Sequence, residues 1–199
     1  MSVLEQLNSS EVTLDKVEAY FNGLDSAERV AQARTLGPRA QRQLWTLAEG
    51  TELSLEYFVP ENAERLDSVR HYGRNTLPVF KMFEKRFCRP PEGQDSLGLW
   101  GYNEGSTRPL VGPGYFVCRY TDGDPRGSVV IDYTLEPDGK CDEWPAFKPN
   151  GSGLSRFVYH GMQDFMRRVS EHVTIGRAYI KGRESNNYFV LCRESQHDS

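Results

Sequence analysis

Apolar residues in the first 50 positions recur at helical spacing. On the first predicted helix they are Leu14, Val17, Tyr20, Phe21 and Leu24. The run from Asp25 to Glu28 resembles a capping box, which begins a second helix that continues to about Leu36. Gly37-Pro38 then breaks the chain and starts a third helix, with Gly50 as a plausible stop. Helices this short need a surface to pack against.

From Tyr115 onward the apolar pattern changes to a period of two, which is typical of β-strands. Four segments show it: Tyr115–Thr121, Ser128–Leu135, Ile175–Lys181 and Asn187–Arg193. Turn-rich residues at 122–127 join the first two segments, and residues 182–186 join the last two. The pattern therefore predicts two antiparallel hairpins.

Between the hairpins, the segment from Leu154 to His172 predicts one long amphipathic helix. Its apolar residues follow three- and four-residue spacing: Phe157, Val158, Met162, Phe165, Met166 and Val169. The segment Leu77–Phe87 also favours a helix, although periodicity alone leaves a short apolar run open to a strand.

Together these elements predict an α+β fold. Short N-terminal helices occupy residues 1–50, and residues 51–199 form a curved antiparallel β-sheet packed with the long helix. The two parts could together make one compact domain.

Charge and cysteine spacing exclude several classes of function. The 199-residue chain has a net charge of −4 and a pI near 5.6, which argues against nucleic acid as a partner. It contains no apolar run of about 18 residues, and we therefore expect no membrane partner. The four cysteines lack metal-site spacing, and the N-terminus lacks a secretory pattern. These features indicate a cytoplasmic protein with reduced thiols, no metal and no cofactor.

Residues 93–127 hold eight of the eighteen glycines, interleaved with aromatic residues. Glycine is expected where a turn or a close backbone approach requires it, and aromatic side chains favour burial. This combination predicts an ordered loop that leads into a strand. The loop offers groups suited to small-molecule recognition: Trp100, Tyr102, Glu104 and Arg108. The alternative is a loop that covers a sheet edge.

Arg119 and Asp132 form a second candidate site. In the simplest hairpin register they are diagonal neighbours on the face opposite the apolar one. If that face lines a cavity, the pair could orient a ligand, and if it faces water, the pair is an ordinary cross-strand ion pair. A slip of one residue would move Asp132 to the other face.

His160 and Asp164 are the candidate catalytic residues of an enzyme alternative. Four residues apart on the predicted helix, they would share one face, as a general base and its orienting carboxylate do. Arg119 or Arg108 would then hold an anion. The competing interpretation is a solvated helix face with ordinary ion pairs.

The sequence as a whole favours a protein that binds a small, partly apolar molecule between the sheet, the helix and the glycine-aromatic loop. The alternatives are the enzyme described above and a protein-interaction or regulatory module, for which a homodimer is one form. The module would expose an apolar patch at Tyr20, Phe21 or Trp45.

Overall fold

The computed structural model describes residues 2–79, 81–106 and 108–195, and within them eight antiparallel strands form a closed barrel. The strands follow one another around the barrel in chain order: β1 (Val69–Asn75), β2 (Met82–Cys88), β3 (Leu99–Glu104), β4 (Phe116–Tyr120), β5 (Val129–Asp132), β6 (Met162–Arg168), β7 (Val173–Ile180) and β8 (Arg183–Arg193). Strand β8 pairs back onto β1, with Cys192 opposite Tyr72, and this pairing closes the barrel.

Four short helices precede the barrel: α1 (Val3–Leu7), α2 (Leu14–Asn22), α3 (Ser26–Ala33) and α4 (Pro38–Leu47). They pack on the outer face of β7 and β8, where Phe21 and Leu44 share an apolar cluster with Val190. Arg167 of β6 fastens α4 to the barrel. Its Nη1 donates to the Trp45 carbonyl oxygen at 2.8 Å, and its guanidinium lies 3.9 Å from the Trp45 ring centroid.

Residues 51–63, which include a 3-10 turn at Leu55–Tyr57, close one end of the barrel. Their apolar side chains are buried in the same cluster as the barrel interior: Leu53, Phe58, Val59 and Ala63. Their backbone is tied to the strand ends at that side, since Leu53 N donates to Ser128 Oγ at 2.7 Å. The barrel is therefore stoppered at this end.

The expectation of an α+β fold with one long amphipathic helix is wrong. Residues 154–172 contain the single turn α6 (Ser155–Val158) followed by strand β6. Gly161 separates the two with a φ of +72°, a left-handed conformation that does not continue a helix. Strand β6 is buried on both faces, with Met166 inside the barrel and Phe165 against the helices. Apolar residues on both faces of a strand resemble a helical stripe in sequence.

The helical interpretation of Leu77–Phe87 is also wrong. This segment is a hairpin connection followed by β2, whose Phe83, Lys85 and Phe87 alternate into the barrel. Phe80, an apolar residue of this segment, lies outside the described residues. The two expected hairpins are present as β4–β5 and β7–β8. The second turns tightly at 181–182, so residues 183–186, which were expected in its turn, belong to β8. The expected N-terminal helices correspond to α2, α3 and α4.

The division of the chain at residue 50 stays a prediction. Within the described ranges, no helix combines the length and the apolar character needed to cross a membrane.

Candidate functional site

A cavity of about 380 Å³ occupies the end of the barrel opposite the end closed by residues 51–63. Its volume falls in the range of small-molecule sites. Inward-facing and mostly apolar side chains form its wall: Phe83, Met162, Ala178, Tyr159 and Phe189. Helix α5 (Arg108–Val111) and α6 flank its mouth, joined by a hydrogen bond from the Ser155 hydroxyl to the Val111 carbonyl oxygen. The barrel fold is compatible with small-molecule binding.

The inner end of the cavity is polar and centres on Lys85 of β2. Its Nζ donates to Asn103 Oδ1 at 2.8 Å and to the Tyr133 hydroxyl. It also contacts Asp164 Oδ2 at 3.4 Å, and the side chains of both charged residues are 3% exposed. These acceptors occupy the three N–H groups of an ammonium.

The second carboxylate oxygen of Asp164 has no such partner. Asp164 Oδ1 is buried, and no hydrogen bond joins it to another described residue. Asp164 lines the cavity, because β6 directs it into the barrel between Met162 and Met166. A buried acceptor left without a donor costs free energy of about 1–3 kcal/mol, so this oxygen is a place where a ligand can add a hydrogen bond.

Burial shifts the ionisation of the pair in opposite directions. Desolvation lowers the pKa of Lys85, and the nearby Asp164 carboxylate opposes that shift. Desolvation raises the pKa of Asp164, and Lys85 and a hydrogen bond with the Tyr133 hydroxyl oppose that shift. Burial also raises the pKa of Tyr133, so its phenol stays protonated. Whichever member holds the shared proton, the Lys85–Asp164 pair carries no net charge.

Four aromatic rings surround the Lys85 ammonium group. Their centroids lie 5.0–5.6 Å from Nζ and belong to Phe83, Phe116, Tyr133 and Phe189. Rings at this distance attract a cation electrostatically and exclude water from it. The inner end of the cavity is thus a dry setting in which each hydrogen bond is stronger than it would be in water.

Three of these rings stand opposite a glycine on the adjacent strand. The cross-strand pairs are Gly73 with Phe83, Gly101 with Phe116 and Gly176 with Phe189. A Cβ on any of the three glycines would come within 2.2–2.5 Å of the opposing ring. The missing side chains therefore provide the room in which the rings pack over the barrel wall.

The structure brings three of the proposed site residues to the cavity. Asp164 lies at its inner end, while Glu104 and Arg108 line its mouth. Arg108 Nε donates to Glu104 Oε1 at 2.8 Å, so these two side chains neutralise each other. Their assignment to ligand binding stays a prediction.

Trp100 and Tyr102 point away from the cavity. Both are buried on the outside of β3 in a separate aromatic cluster, where the Tyr102 ring centroid is 4.9 Å from that of Trp144. This cluster packs the long 133–161 connection against the barrel. It accounts for these two aromatic residues without a ligand.

Arg119 and Asp132 are diagonal neighbours, as the simple hairpin register suggests, because Arg119 pairs with Val130 and Asp132 with Val117. Their side chains form an ion pair of 2.8 Å on the outer face of the barrel. Burial opposes ionisation of Asp132, but hydrogen bonds from Thr134, Gln163 and Arg119 outweigh it and hold its pKa below the usual value. The pair is outside the cavity.

His160 and Asp164 do not share a helix face, because Asp164 is on strand β6. His160 is exposed in the turn after α6. The interaction-module alternative requires an exposed apolar patch at Tyr20, Phe21 or Trp45. Of these, Phe21 and Trp45 are buried between the helices and the barrel.

Lys85, Asn103 and Tyr133, which form the polar inner end of the cavity, were not among the residues that the sequence patterns predicted. The available signal was the alternation Phe83-x-Lys85-x-Phe87, in which a lysine interrupts the apolar face of a strand. That signal is visible once the segment is interpreted with a period of two.

A second depression of about 590 Å³ lies between α3 and β1. It adjoins Ser195, and Arg70 within it is paired with Glu84 and Glu194 at 3.7 Å. Among the described residues, no group of three metal-ligating side chains is arranged to hold an ion.

No protein-family model matches the chain, and no curated protein or solved structure is detectably similar to it.

Proposed function

We propose that this protein binds a small, mostly apolar molecule in the barrel, with a hydroxyl or other neutral hydrogen-bond donor at the ligand's inner end. The observation that carries the proposal is Asp164 Oδ1, a buried acceptor on the cavity wall with no partner among the described residues. The apolar wall takes the body of the ligand, and the carboxylate oxygen takes its donor.

The charge of the inner end argues for a neutral ligand. The protons of Lys85 already meet Asn103, Tyr133 and Asp164, so an incoming carboxylate would find no free donor there. It would also face the second oxygen of Asp164, and an anion buried without a partner is strongly unfavourable. An alcohol of the same chain length avoids both costs.

Displacement of the fluorescent dye Nile red by decanol and by decanoate tests the choice of ligand. We expect decanol to displace the dye at a concentration about tenfold lower than decanoate, because one charged-group hydrogen bond contributes roughly 1.5–3 kcal/mol. Equal or better displacement by decanoate would overturn the proposal.

Two variants locate the binding inside the barrel. Ala178→Leu adds bulk at a wall position that is 5% exposed, and we expect it to reduce dye and decanol binding together. Asp164→Asn should reduce the preference for decanol, while Asp132→Asn, at the buried carboxylate outside the barrel, should preserve it. Unchanged binding in Ala178→Leu would place the ligand elsewhere.

A further inference from the structure

Large exposed apolar side chains concentrate around the cavity mouth. They form what we call the apolar rim: Leu77, Val79, Met82, Leu110, Val158 and Ile180. Leu110 is 64% exposed and Val79 is 59% exposed, values unusual for side chains of this kind. Five of the six line the cavity, and Leu110 belongs to helix α5 at its edge. A contiguous apolar surface of this kind marks a contact surface.

Basic residues flank this rim on two hairpins. Lys81 closes the β1–β2 connection, where its carbonyl accepts from Asn75 N at 2.9 Å. Lys181 lies in the β7–β8 turn, and Arg183 begins β8 directly opposite Ile180. All three are exposed, and no salt bridge joins them to a carboxylate of the described residues. We call these three residues the basic collar.

The acidic residues closest to the rim in sequence are already neutralised. Glu84, two residues from Met82, pairs with Arg86 at 2.7 Å. Glu104 pairs with Arg108 at 2.8 Å, and Glu184 pairs with Arg177 at 2.9 Å. The mouth is therefore locally positive, although the whole chain has a net charge of −4. This asymmetry would turn the mouth toward an anionic surface and the rest of the molecule away from it.

We propose that the apolar rim and the basic collar dock peripherally on an anionic lipid surface. Apolar side chains enter the boundary between head groups and acyl chains, and the lysine and arginine side chains pair with lipid phosphates. This inference departs from the expectation of no membrane partner, because peripheral docking requires no segment that spans the bilayer. It goes beyond the proposed function, since docking is independent of what the cavity holds.

Co-sedimentation with vesicles is the direct test. We expect the full chain to bind vesicles of phosphatidylcholine and phosphatidylglycerol, and to bind pure phosphatidylcholine vesicles much more weakly. Added salt should weaken binding, because it screens the collar. Absence of binding to the anionic vesicles would overturn the proposal.

Matched variants distinguish vesicle binding through the rim and the collar from non-specific adsorption of the protein. Lys81→Gln, Lys181→Gln and Arg183→Gln should each weaken binding about fivefold, whereas Arg39→Gln and Arg42→Gln, exposed on α4, should not. Val79→Ser with Leu110→Ser should weaken binding about tenfold or more, and Leu97→Ser, away from the mouth, should not. Equal losses in the test and control variants would overturn the assignment.

A fluorescent reporter identifies the surface that enters the lipid. Val79→Trp places an indole on the rim, and its emission should shift to the blue with anionic vesicles, while Leu97→Trp should stay unchanged. Light scattering tests the competing occupant, a second copy of this chain. A dimer that Val79→Ser with Leu110→Ser converts to a monomer would assign the rim to self-association and overturn lipid docking.

Discussion

Phe116 of β4 packs directly against Gly101 of β3, at a position where a methyl group on the glycine would lie 2.2 Å from the ring. The same relationship recurs for Phe83 with Gly73 and for Phe189 with Gly176. These three contacts place aromatic rings around Lys85. The strand glycines are therefore part of the site, although they contribute no side chain to it.

We expect Gly101→Ala to destabilise the fold by about 1–3 kcal/mol, since the added methyl overpacks the interior. The opposing carbonyl of Arg86 would also lie 2.6 Å from that methyl, and a backbone atom yields less than a side chain. Adding Phe116→Leu should therefore restore stability in part and not fully. Urea unfolding measures both variants. Gly105→Ala, whose methyl would be 3.7 Å from its nearest neighbour, should cost little, and full rescue by Phe116→Leu would contradict this account.

Lys85→Met should destabilise the protein by about 3–5 kcal/mol, because it leaves Asp164 buried without its cation. Adding Asp164→Leu removes the stranded carboxylate, so the double variant should be more stable than Lys85→Met. Calorimetric unfolding checks the order. The outer pair is the control: Arg119→Gln should cost less than about 1 kcal/mol, because Arg119 is partly exposed and Asp132 keeps Thr134 and Gln163.

Stability should fall as the pH drops below about 6.5 because of His71. Burial lowers its pKa from 6.5 to about 3, and its Nε2 lies 2.9 Å from the Phe58 carbonyl oxygen. Between these pH values the unfolded chain binds a proton that the folded chain excludes, which costs about 1.4 kcal/mol per pH unit. Urea unfolding from pH 7 downward should show this slope. His71→Gln should flatten it, whereas His160→Gln at an exposed position should leave it unchanged.

Arg167→Met should loosen the N-terminal helices. The substitution removes the hydrogen bond to the Trp45 carbonyl oxygen and the contact with the Trp45 ring. We expect faster hydrogen exchange in α4, with the barrel strands less affected, because the lost contacts hold the helix to β6. Arg183→Met, at the exposed first residue of β8, is the control. Uniform acceleration of exchange across the chain would instead indicate global destabilisation.

Local signals in the sequence were enough to find the N-terminal helices and two hairpins. Their caps and turns depend on neighbouring residues, such as Asp25, whose side chain accepts from Glu28 N at 2.8 Å. The strand β6 could not be found this way, because burial on both faces erased its period of two. Its conformation is decided by pairing with β5 and β7, which are distant in sequence.

The candidate site was predictable in part. The sequence pattern singled out Asp164 because it expected His160 as the neighbouring residue. In the structure His160 lies in an exposed turn and does not share a face with Asp164. The actual partner of Asp164 is Lys85, 79 positions away along the chain. Barrel closure creates that contact, and no spacing rule in a single sequence encodes it. The diagonal placement of Arg119 and Asp132 was predictable because the β4–β5 turn fixes their register, but the pair lies outside the cavity.

Because the barrel closes through the pairing of β1 with β8, closure requires residues 183–193. Until residues 183–193 have left the ribosome, the outer backbone groups of β1 lack their final partner, and the lysine at position 85 has no enclosed chamber around it. Until then the nascent sheet has an unpaired edge strand, and such edges can pair with other chains and aggregate. Strand β8 is the last of the eight barrel strands along the chain, and its pairing removes the open edges of β1 and β7.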